Sequence, residues 1–149
     1  MSVYRRILLI VDLNDDSLPI GRRAQAIAAA FGAHVELLHV VEFIPLEPVG
    51  ETLVPQVQIE EELLARARKR LKAFAAELGL PDAHCQVEVG SVKSDIVRIA
   101  RERGADLIVL GSRERHGLSI LVNFTEDTVL HAAPCDVLAV RVGGTGKSS

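Results

Sequence analysis

Short runs rich in β-branched residues alternate along this chain with segments whose apolar residues recur every three or four positions. No other feature limits the possible folds as tightly. The runs fall at residues 7–11, 34–41, 85–89, 106–110 and 136–142. Several are apolar almost throughout, as strands buried on both faces are. Between them the period is helical. Ser17 is placed to cap a first helix, with Pro19 in its first turn, Ile20, Ala24, Ala28 and Phe31 as its stripe, and Gly32 to end it. A second helix spans about 59–78, with Ile59, Leu63, Ala67, Leu71, Phe74 and Leu78 on one side; Gly79 and Pro81 stop it. A third runs over about 92–104. A fourth runs over about 118–132, closed by Pro134. The order β-α-β-α-β-α-β-α-β predicts an α/β fold, a five-stranded parallel open sheet with helices on both faces. Right-handed crossovers leave few topologies. Ligands of such sheets sit at the carboxyl ends of strands, which this pattern places at Asp12, Val41 and Gly111-Ser112.

The 149 residues suit one domain, expected over 1–142, with 143–149 as a flexible tail. Hydrophobic residues at 48% exclude disorder along the whole length. With a net charge of −3 and 3% aromatics, neither nucleic-acid binding nor membrane insertion is expected. The first apolar run is broken by Asp12, too early for a signal peptide or a membrane span. Cys85 and Cys135 form no CxxC pair and fit reduced thiols in a cytoplasmic protein.

Residues 42–58 form a long connection with Pro45, Pro48, Gly50 and Pro55, suited to a lid or to a plain surface excursion. The terminal Gly146-Lys147-Ser148 imitates a phosphate loop. It has Arg141 where the first glycine belongs and no helix after the lysine. His34, His39, His84, His116 and His131 show no metal-ligand spacing. His39 lies at a strand end, where it either lines a site or serves the fold. Arg113, Glu114, Arg115 and His116 make a mixed, mainly basic loop, more commonly solvated than ligand-bound. No Ser-His-Asp set, carboxylate pair or nucleophile elbow occurs, so no enzymatic activity is expected.

Four stretches resemble the universal stress protein family. They are Arg6-Ile7-Leu8-Leu9-Ile10-Val11-Asp12, Leu38-His39-Val40-Val41, the run from Ala105 to Leu118, and the run from His131 to Arg141. The likeness covers residues 4–142. It implies a Rossmann-like sheet of the adenine nucleotide alpha hydrolase type, in a cytoplasmic stress-response homodimer with protein partners.

Nucleotide-binding members of that family carry Gly-x-x-Gly, nine residues, then Gly-Ser or Gly-Thr. Bare backbone there lets N–H groups approach phosphates. In this chain the first glycine is Gly111, followed by Ser112. The second position is Glu114. The third is Phe124, followed by Thr125. A carboxylate about 5 Å from one phosphate charge costs on the order of 3 kcal/mol at an effective dielectric of about 20. Overpacking by a ring costs about 1–3 kcal/mol. A combined loss of about 4 kcal/mol weakens binding roughly a thousandfold. The chain is therefore similar to the branch around universal stress protein A, which lacks the glycines and does not bind ATP, and no cofactor is expected. The alternative is a regulatory switch or slow ATPase holding ATP with Mg²⁺ through Asp12, Val41, Gly111, Ser112 and Thr125. The resemblance assigns Asp12 to base or ribose and the Val41 backbone to the adenine edge. Asp12 could instead cap its strand or the next helix.

The last strand is apolar and falls at or near the sheet edge by its order. An exposed apolar edge needs cover. A homodimer through Val137, Leu138, Ala139, Val140 and Val142 is expected, in keeping with the family.

Overall fold

The computed structural model describes residues 3–42, 56–113, 129 and 131–142. In chain order the elements are β1 (Arg6–Ile10), α1 (Ser17–Phe31), β2 (His34–Val41), α2 (Gln56–Glu77), β3 (Cys85–Val89), α3 (Val92–Arg103), β4 (Leu107–Arg113) and β5 (Asp136–Val142). The strands form one five-stranded sheet in the order β3-β2-β1-β4-β5, and every pairing is parallel. The direction of winding reverses between β1 and β4, so their carboxyl ends flank the crevice where such sheets take ligands.

Strand burial follows from cover on both faces. Ile7, Leu9, Val11, Val35 and Leu37 meet Ile20, Ala24, Leu71, Phe74 and Leu78 from α1 and α2. Leu8, Ile10, Leu38, Val40 and Ile108 meet Ile96, Ile99 and Ala100 from α3, together with Val129. Alternate residues of each central strand thus feed two separate cores, leaving no polar face to betray the period of two. Gly21 lets α1 and α2 approach: a Cβ there would stand 2.7 Å from Leu78 Cδ1.

The expected elements hold with four corrections. β1 ends at Ile10, one residue before the expected end. The α2 helix starts at Gln56, so helix occupies the last part of what read as connection. Gly111 and Ser112 do not follow β4 but lie within it, opposite Val140 and Arg141, because β5 is long enough to carry the ladder on to Arg113. Ser17 is not the cap of α1. It is the first helical residue, behind Asp16, and is buried, its hydroxyl accepting the Asn14 N–H at 3.1 Å. Val129, His131 and Ala132 are helical or buried as expected of a fourth helix. The rest of that helix, the connection at 43–55, Glu114, Arg115, His116, Phe124, Thr125 and the tail 143–149 lie outside the described residues.

Candidate functional site at the switch point

The crevice is built from the end of β1. Leu9 pairs with Val109 across β1 and β4, and continuing that register brings Asp12 level with Ser112. Asp12 is exposed on this rim. Val41 closes β2 on the other side of β1. The fold therefore gathers Asp12, Val41, Gly111 and Ser112 at one end of three adjacent strands.

The turn from Val11 to Ser17 is fixed by backbone-directed bonds from three elements. Val11 donates its N–H to the Leu38 carbonyl at 2.8 Å. The His39 ring places Nδ1 2.6 Å from the Val11 carbonyl. A carbonyl only accepts, so Nδ1 carries the proton. Leu13 adopts φ +60°, a left-handed backbone uncommon outside glycine. Its carbonyl accepts from the Arg70 guanidinium on α2 at 2.8 Å. Asn14 then winds the chain into α1: its Oδ1 accepts the Asp16 N–H at 3.0 Å and its carbonyl the Ser17 N–H at 3.1 Å. The left-handed turn is thus held by contacts from β2 and α2.

The Val41 carbonyl is engaged within the sheet, accepting the Gly90 N–H at 3.1 Å. A backbone pairing of Val41 with an adenine edge would have to share that oxygen. Gly90 itself sits under Asp95, whose Oδ2 lies 2.6 Å from where a Cβ would stand. Asp95 joins Glu88 and Glu102 around Arg98, at 3.3, 2.8 and 3.1 Å. The Gln86 amide and then Arg98 hold the Glu88 carboxyl below its ordinary range.

The other candidates stand apart from the crevice. Cys135 lies just before β5, and burial, then Asp106 and Asp136, push its thiol up, against any role as a nucleophile. Burial likewise pushes Cys85 up. His34, His84 and His131 are exposed, and the His84 ring lies 3.4 Å from the Gln86 amide oxygen. Among the described residues no group of His, Cys, Asp and Glu could hold a metal ion. Sequence reasoning allowed His39 either to line a site or to serve the fold, and its bond to the Val11 carbonyl shows the second; Leu13, Asn14 and Arg70 were missed. The turn-forming run Asn14-Asp15-Asp16-Ser17 signals the bend. Nothing local in the sequence ties Arg70, 57 positions away, to Leu13.

A doubly wound parallel sheet with a preformed turn at its switch point defines a class of small α/β domains that present ligands at strand ends. Within that class this chain belongs to the universal stress protein family, whose model matches residues 3–141, and it is a stress-response protein of that kind. It is 36% identical over 146 residues to universal stress protein A homolog 2 of Coxiella burnetii, covering 97% of this chain and all of that one. Among solved structures it is similar to universal stress protein UspA from Lactobacillus plantarum. There the TM-score is 0.67 and the identity 26%, over 93% of this chain and 98% of that one. A universal stress protein in complex with cAMP aligns with a TM-score of 0.62 and 27% identity, over 95% of this chain and all of that one. No helix among the described residues is long and apolar enough to cross a membrane.

Proposed function

We propose that this chain is a non-enzymatic, cytoplasmic universal stress protein, homodimeric through β5, that acts through protein partners and does not hold ATP tightly. One observation carries the reading: Glu114 and Phe124 occupy two of the three positions where nucleotide-binding relatives need glycine. The turn beside Asp12, which the family likeness assigns to the base side, is held by His39, Arg70 and Asn14. By the family's motif, Glu114 and Phe124 put a carboxylate and a ring where bare backbone would meet the phosphates. Like charge and added bulk both oppose a polyphosphate there, by about 4 kcal/mol together. Support for the dimer is the edge position of β5, which carries Val137, Leu138, Ala139 and Val140. Such an edge is a ready template for its own copy.

Calorimetry with ATP and Mg²⁺ tests the ligand half. The expected result is no binding tighter than the high-micromolar range, and a gain in affinity for Glu114→Gly/Phe124→Gly. Micromolar binding by the unaltered chain, or no gain in the double variant, overturns it. A second reading, a nucleotide-responsive switch, draws on the relative solved with cAMP and on the preformed turn beside Asp12. It requires nucleotide retained through purification.

A further inference from the structure

Helix α2 packs on β2 and β3 at one side of the sheet and turns Leu71, Phe74, Ala75 and Leu78 inward. Its outer face divides by charge. Glu61 and Glu62 are exposed before Ala65; Arg66, Arg68, Lys69 and Lys72 are exposed after it. From Leu63 to Ala76 the helix contains no acidic residue, although the chain as a whole has 20 acids and 17 bases. None of the ion pairs among the described residues involves these side chains. The helix thus carries two blocks of opposite charge on one exposed face.

We infer that this face is a second self-association surface, in which α2 packs antiparallel on α2 of another copy about a two-fold axis past Ala65. Positions equally far before and after Ala65 then face each other. Glu61 meets Lys69 of the partner subunit, Glu62 meets Arg68 of the partner subunit, and each contact occurs twice by symmetry. At the centre Ala65 meets its own copy, and its small side chain admits the roughly 8–10 Å approach of packed helices. A nucleic acid is the less fitting occupant. A uniformly negative backbone would be repelled by Glu61 and Glu62, and the exposed stretch has no aromatic ring for stacking. A reversed copy of the same helix complements both blocks at once. The contact is independent of β5, and in a chain already paired there it joins dimers to dimers.

The interaction is mainly ionic, so it weakens as the screening length contracts from about 30 Å near 0.01 M salt to about 8 Å near 0.15 M. Sedimentation velocity of the full chain at low and at physiological salt tests it. The expected result is a species larger than the high-salt form at low salt, reverting when salt is added. Glu61→Lys/Glu62→Lys should lose that species, and so should Arg68→Glu/Lys69→Glu. Mixing the two variants should regain it, since the four facing positions 61, 62, 68 and 69 are then all positive in one chain and all negative in the other. An unchanged mass across salt, larger species that persist in either variant alone, or no recovery on mixing overturns the proposal. So does a wild-type chain that fails to self-associate but binds a short DNA duplex at low salt. The high-salt mass reports separately on β5: a monomer there removes the β5 dimer without touching this interface.

Discussion

A few side chains here act on backbone rather than on each other, and their removal has consequences a contact map would understate. Leu13 keeps a left-handed conformation because Arg70 and His39 engage the carbonyls on either side of Asp12. That arrangement was only half legible in the sequence: Asn14-Asp15-Asp16 announces a turn, whereas the handedness of Leu13 depends on a helix far along the chain. Gly90 is the opposite kind of position, defined by what it lacks. Its missing Cβ leaves room for Asp95, whose Oδ2 is buried and accepts no hydrogen bond among the described residues. Gly90→Ala should lower stability by about 1–3 kcal/mol, as overpacking typically does. In an Asp95→Ala background most of that loss should vanish. A thermodynamic cycle from denaturant unfolding checks it, and additive losses would show that the two positions do not meet.

At the scale of elements, α3 is fastened to β3 by charge. Arg98 reaches Glu88 on the strand and Asp95 and Glu102 on its own helix. The folded state holds the Glu88 carboxyl low, so its contribution is present above the ordinary carboxylate range and is lost as pH falls through the lowered value. Arg98→Ala should therefore reduce the melting temperature at neutral pH, with the gap to wild type narrowing as pH falls through the lowered Glu88 value and that carboxyl protonates. A gap that stays constant would mean Arg98 acts by packing alone. The elements themselves were largely legible. β2, β3 and β5 begin and end where their apolar runs do, and Gly32 and Gly104 end α1 and α3 in left-handed conformations. The extension of β4 through Gly111-Ser112-Arg113 was hidden because those residues look like loop, and only the ladder to β5 draws them into the strand.

Over the whole molecule, the parallel alternation predicted the sheet and its switch point, while the side chains shaping the crevice came from elements remote in sequence. The two flanks of the sheet differ. β3 presents Gln86 and Glu88, tied to Arg98; β5 presents Val137 to Val140. Ala139 is exposed there, so Ala139→Glu should set like charges near one another in a β5-paired dimer and shift the mass toward that of the 16.1 kDa chain. Light scattering across a dilution series checks it, and an unaltered dimer would move the interface elsewhere. This asymmetry also governs growth. In a dimer joined at β5 as proposed, both outward borders would belong to β3, where Glu88 and the Arg98 paired with it set charge against a third copy extending the ribbon.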